Sequence, residues 1–182
     1  MWAIESHELG RRMDCRALEL GFAALAADPD LRLAINLSAR SIGCRRWMRT
    51  LEEGISTTPA IRGRLILEIT EQIAVRNMIN ATEQMQELIE LGCKFAIDDF
   101  GAGYSSFDYL KSLPVDYIKI DGAFIRDVCE DVIDQTIVRS ICEIARASGK
   151  QTIAEYVQDA ATLDLLGELG VDYAQGFHIG KP

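Results

Sequence analysis

The chain has 182 residues, 48% hydrophobic and 26% charged, which suits one globular domain with a sizeable core and excludes a disordered segment. A formal net charge of −9 argues against a nucleic-acid polymer as partner, although a small anionic ligand could still bind through divalent metal. Cys15, Cys44, Cys93, Cys129 and Cys142 lack CxxC spacing, no apolar run reaches membrane-spanning length, and no signal-peptide pattern opens the chain. Reduced thiols and a cytoplasmic location are therefore expected, either alone or as the cytoplasmic part of a longer protein.

Along the chain, residues 7–26 carry Leu9, Met13, Ala17, Leu20 and Ala24 at helical spacing, which predicts an amphipathic helix with that apolar stripe. Strands are predicted at "LRLAINLS" (31–38) and "RLILEIT" (64–70). A helix follows over 77–91, with Met78, Met85, Leu88 and Ile89 on one face. The run "KFAIDDF" (94–100) reads as the next strand, and a shorter helix ends at "SLP" (112–114), where Pro114 bars its continuation. "YIKID" (117–121) is a strand, residues 131–148 a helix with Ile133, Ile137, Ile141 and Ile144, and "QTIAEYV" (151–157) and "YAQGF" (173–177) are further strands. Such alternation implies a mostly parallel sheet covered by helices. A doubly wound sheet and a β/α barrel both remain open; six strands suit the first and fall two short of the second.

Each predicted strand carries a polar group near its C-terminal end: Asn36, Glu68, Asp98 with Asp99, Lys119 with Asp121, Glu155, and Gln175. Glu71 follows Glu68 by one short turn. Singly, each has a plain explanation: a turn or helix cap for the acids, and snorkelling from an edge strand for Lys119. Together they populate the one rim on which parallel strands end, where α/β enzymes hold their sites. Oxygen ligands without thiolate or imidazole select Mg²⁺ or Mn²⁺. Such ions, with a nearby ammonium and a free carboxylate, suit phosphodiester displacement. Gly101 and Gly103, with Asp121 twenty residues past the first, also mimic a dinucleotide fingerprint. Ser106 stands at its third glycine, however, and two aspartates before the loop would repel a bare pyrophosphate.

The motifs "NLS" (36–38), "EITE" (68–71), "DDFGAGYSS" (98–106), "KID" (119–121), "AEYV" (154–157) and "QGF…GKP" (175–182) resemble, in order and spacing, the EAL domains of bacteria, phosphodiesterases that hydrolyse cyclic di-GMP to linear pGpG. The resemblance covers nearly all of residues 1–182 as a single domain and implies a β/α barrel of EAL type with one antiparallel strand. It implies that Asn36, Glu68, Asp98, Asp99 and Glu155 are metal ligands and that Lys119 and Glu155 serve catalysis. Gln175 and Asp121 would stand toward substrate or metal-bound water, and Glu71 would anchor the loop after "DDFG" that links metal binding to homodimerisation. No Glu-Ala-Leu occurs in the sequence, so the barrel is expected to be incomplete, about six strands with the first two missing. Tyr156 and Gln158 stand where the family usually has glycine and glutamate. The alternative is a non-catalytic EAL module that binds cyclic di-GMP or a protein partner in signalling.

Overall fold

The computed structural model of the chain describes residues 8–39, 41, 43–76, 78–101 and 110–181. They form two compact units, Met1–Ile69 with Arg76–Phe95, and Thr70–Val75 with Ala96–Pro182. Gly103, Ser106 and most of the short helix expected before Pro114 lie outside the described residues.

In the first unit, helix α1 (Glu8–Ala27) leads to strand β1 (Leu33–Asn36), helix α2 (Arg45–Thr57), a 3₁₀ turn (Pro59–Ile61) and strand β2 (Leu65–Thr70). β1 and β2 are parallel, in a register that sets Asn36 opposite Glu68. The face of α1 that enters the core is Cys15, Leu18, Gly21 and Leu25, whereas Leu9, Met13 and Leu20 are more than half exposed. This corrects the stripe expected from the sequence. Two stripes with helical spacing coexist on α1, and the buried one contains a cysteine and a glycine that look weakly apolar. Gly21 lets β1 pack closely there: a Cβ would lie 2.7 Å from the tip of the Ile35 side chain, which would have to move aside. α2, which periodicity had not marked, buries Trp47, Leu51 and Ile55 four residues apart. Its Gly54 leaves room for the Phe22 ring of α1, where a Cβ would clash. Further along, Met85 and Leu88 of helix α4 (Met78–Glu90) are buried as expected. Burial pushes the thiol of Cys93 up to about 12.

The second unit holds helix α3 (Glu71–Arg76), most of strand β3 (Lys94–Phe100), then β4 (Tyr117–Ile120), α5 (Gly122–Ile125), α6 (Val132–Ala147), β5 (Gln151–Ala154), α7 (Ala160–Leu169) and β6 (Tyr173–Ala174). β4 pairs with β3 and β5, β5 with β6, and every described pairing is parallel. α6 buries Val138, Ile141, Cys142 and Ala145. Of the isoleucines expected on its stripe, Ile133 is instead exposed near the helix start. Asp131 and Asp159 cap α6 and α7 by accepting backbone N–H groups of the first turn. The start of β5 is tied to the approach to β6: the Thr152 N–H and hydroxyl donate to Asp172 at 2.8 and 2.9 Å, and the Asp172 N–H donates back at 3.1 Å. Among the described residues no helix is long and apolar enough to cross a membrane.

One long-range contact closes the end of α1. The Arg64 guanidinium donates to the carbonyls of Leu25, Asp28, Leu31 and Ala60 at 2.8–3.1 Å. α1 has no basic residue in its own last turn, so a distant cation satisfies the carbonyls left over there. Arg64→Ala should lower stability by roughly 1–3 kcal/mol, read from the thermal midpoint. Lysine at the position should recover only part of the loss, because an ammonium lacks the fork that reaches several carbonyls.

Candidate metal and active site

Along β3, Ile97 is opposite Ile118 and Phe100 is opposite Ile120, so β3 carries one extra residue between these pairs. That is a β-bulge, and it falls on Asp98 and Asp99. Asp99 has a φ of 55°, a left-handed conformation that aspartate tolerates better than most residues. Neighbours on a regular strand point to opposite faces. Here the bulge lets one carboxylate oxygen from each of Asp98, Asp99 and Glu155 lie within 4.8 Å of the others.

Lys119 is the fourth member. Its side chain is 4% exposed, with Nζ 2.6 Å from Asp98 Oδ1 and 2.8 Å from Glu155 Oε1. β4 has neighbours on both sides, so snorkelling from an edge strand does not describe this lysine. A buried ammonium persists because carboxylates replace its water. One cation nevertheless faces three acids. Burial, then the charges of Asp98 and Asp121, raise the pKa of Asp99 against the opposing pull of Lys119. Burial also raises that of Glu155; the Lys119 hydrogen bond and charge oppose this, while Asp98 and Asp99 add to it. Carboxylate oxygens without thiolate or imidazole are hard-cation donors, and their mutual repulsion is what a divalent ion would relieve. The residues fit such an ion.

The other expected site residues are placed more variously. Asp121 sits at the end of β4 and caps α5, its Oδ1 accepting the Ala123 N–H at 2.6 Å, so its plain role as a helix cap is realised beside its charge effect on Asp99. Glu71 is buried, and its Oε2 accepts the Gly101 N–H at 3.4 Å. The loop that it would anchor continues into 102–109, outside the described residues. Gln175 follows β6; its backbone accepts from Val157 and donates to Ala154, while its side chain is exposed. In the first unit, Glu68 is buried in β2 and Asn36 is exposed at the end of β1. The segment just after Asn36 is held by Asp14, whose Oδ2 accepts the hydroxyls of Ser38 and Ser41 at 2.7 and 2.5 Å. That contact gives the serine of "NLS" a structural reason.

Glu155 is presented by a tightly pinned turn. Its N–H donates to Ile120, the Val157 N–H to Gln175, and the His178 N–H to Val157. Gly176 is obligatory, since a Cβ there would run into the Val157 backbone. Between Glu155 and Val157, Tyr156 adopts a φ of 62°, which costs a non-glycine residue about 1–2 kcal/mol. The Arg126 guanidinium stacks 4.6 Å from the centroid of its ring. Sequence reasoning missed Arg126, and nothing at a separation of thirty residues could have paired the two.

Parallel strands alternating with helices, with a carboxylate cluster around a buried lysine at the strand ends, define an α/β protein of the β/α type. The sequence profile of the EAL domain matches residues 1–182, and the chain belongs to the EAL domain family. It is 40% identical over 182 residues to the cyclic di-GMP phosphodiesterase PdeF of Escherichia coli, covering 100% of this chain and 23% of that protein. It is 35% identical over 184 residues to the cyclic di-GMP phosphodiesterase PdeB of Shewanella oneidensis, covering 99% and 22%. The chain thus spans less than a quarter of these relatives' length. Among solved structures, the FimX EAL domain of Pseudomonas aeruginosa bound to c-di-GMP matches with a TM-score of 0.90 at 27% identity, over 99% of this chain and 74% of that one. The PaMucR phosphodiesterase in complex with c-di-GMP matches with a TM-score of 0.84 at 32% identity, over 96% and 71%. The fold class expected from the sequence, an EAL-type β/α barrel of which the described residues carry six strands, is the one found.

The charge imbalance has a measurable consequence. With its native pKa raised, ionised Asp99 costs stability above that pKa and nothing once pH falls below the unfolded-state value. Asp99→Asn should therefore raise the thermal midpoint at pH 7 in metal-free buffer. The gain should shrink as pH falls toward the ordinary carboxylate value of about 4. Asparagine's comfort at positive φ adds an offset that does not vary with pH, so a gain flat in pH would show that repulsion is not its source.

Proposed function

We propose that this chain acts as a cyclic di-GMP phosphodiesterase, opening one phosphodiester bond of the dinucleotide with water to leave linear pGpG. The observation that carries the reading is Lys119, buried between Asp98 and Glu155 beside Asp99, in a chain whose relatives at 35–40% identity are cyclic di-GMP phosphodiesterases. Asp98, Asp99 and Glu155 would hold Mg²⁺ or Mn²⁺. When bound, such an ion supplies charge for the phosphoryl oxygens and makes water a nucleophile at neutral pH. Lys119 presents its ammonium to the charge that grows on those oxygens. Glu155, with one oxygen toward the ion and hydrogen-bonded to Lys119, would present its other oxygen to the proton of the attacking water. Gln175 and Asp121 orient substrate or water at the rim, and Glu71 steadies the loop from Gly101 onward. A cytoplasmic setting accords with the nucleotide ligand and with the unpaired thiols.

With Mn²⁺ and cyclic di-GMP, chromatography should detect pGpG. Lys119→Met and Glu155→Gln should each lower turnover by about 10²-fold or more. Binding of the dinucleotide by calorimetry with no pGpG formed would replace hydrolysis with a binding role.

The same reading includes a homodimer. Among the described pairings β1 is joined to β2 alone and β6 to β5 alone, and open strand edges are templates for a second chain. Light scattering at micromolar concentration should give twice the chain mass of 20.2 kDa. A monomer mass would remove the dimer without touching the chemistry.

A further inference from the structure

We infer that Tyr156, with Arg126 stacked on its ring, is a platform for a purine base of the ligand. The inference rests on the functional reading above and adds a residue to it. Among the described non-glycine residues only Asp99 and Tyr156 have positive φ. Asp99 is accounted for by the bulge and the acidic cluster. Tyr156 is bulkier, and its backbone would be more comfortable as glycine. A strained residue next to Glu155 is retained more readily if its side chain contributes something that glycine cannot.

The surroundings say what that is. The side chain lies against Gly122, where a Cβ would come within 2.8 Å of the Tyr156 Cβ, so the start of α5 makes room for it. Tyr156 directly follows Glu155 of the acidic cluster, and the Gly122 it lies against directly follows Asp121. With the Arg126 guanidinium 4.6 Å from the ring centroid, Tyr156 is still 43% exposed. A guanidinium stacked on an aromatic ring fixes the orientation of that ring and sets a positive charge beside it. A half-exposed, oriented aromatic beside a cation suits a planar base linked to phosphate, since bases stack on such rings and phosphate is drawn to the charge. The acidic cluster offers the ligand no apolar surface of its own.

Calorimetry with cyclic di-GMP tests this, with Ca²⁺ present so that the hard-oxygen site is filled, on the unaltered chain and on Tyr156→Gly, Tyr156→Phe and Arg126→Ala. Tyr156→Gly should bind about 5- to 150-fold more weakly, the equivalent of one lost stacking contact. Its thermal midpoint should equal or exceed that of the unaltered chain, because the backbone strain is gone. Tyr156→Phe should retain affinity to within about twofold, since the stacking face is kept. Unchanged binding by Tyr156→Gly would overturn the platform and leave the phosphodiesterase reading standing. A midpoint that falls together with affinity in both Tyr156→Gly and Arg126→Ala would overturn it in favour of a purely structural clasp. Failure of the unaltered chain to bind cyclic di-GMP would overturn the functional reading and the platform with it.

Discussion

Adjacent residues on a regular strand cannot face the same way, and the candidate site depends on breaking that rule once. Asp98 and Asp99 would point to opposite faces of an unbroken β3. The extra residue between the Ile97 and Phe100 pairings, taken up with Asp99 in the left-handed region, brings their carboxylates within reach of each other and of Glu155. Bulges concentrate beside active sites because they re-aim side chains without altering the rest of the sheet. Here β4 remains fully buried alongside the bulge, so the distortion stays local.

Bringing three acids together demands a cation, and the fold supplies one from the neighbouring strand. Lys119 meets Asp98 and Glu155 at the lengths of charge-assisted hydrogen bonds. One ammonium cannot neutralise three carboxylates, and burial foremost, with repulsion from neighbouring acids adding to it, holds the pKa of Asp99 and Glu155 up. An arrangement chosen for stability alone would have paired the charges evenly or replaced them with apolar side chains. On the proposed reading the surplus negative charge is capacity for a divalent ion, set on strand ends where the donors are preorganised.

How much of this could be read from the sequence depends on how local the cause is. The six strands were legible because apolar β-branched runs alternate with helical stretches, and polar residues at the strand ends were conspicuous in so apolar a setting. The cluster of Asp98, Asp99, Lys119 and Glu155 followed from one topological fact, that parallel strands end on one rim. The phase of α1 was not legible. Leu9, Met13 and Leu20 are more apolar than Cys15 and Gly21, yet the side carrying Cys15, Leu18, Gly21 and Leu25 turns inward, with Gly21 packed against Ile35. Likewise α2 hid behind its charges: Trp47, Leu51 and Ile55 are isolated among arginines and glutamates, and only packing shows that three residues suffice. The bulge itself left no mark, because an Asp-Asp pair near a strand end suggests a turn just as well.

The scaffold around the rim compensates for what the rim gives up. β5 is fixed at its start by the reciprocal hydrogen bonds of Thr152 and Asp172, and at its end by Glu155 to Ile120 and Val157 to Gln175. A strand held at both ends can carry a repelled carboxylate and a left-handed tyrosine in succession without relaxing to something easier. Asp131 and Asp159 complete the first turns of the two helices that flank β5 in sequence, so the helix ends there need no help from site residues. Among the described non-glycine residues positive φ falls at Asp99 and Tyr156, beside the crowded carboxylates of Asp99 and Glu155. Capped helices and pinned strand ends thus surround the positions where local rules are broken, the distribution that the proposed function would require.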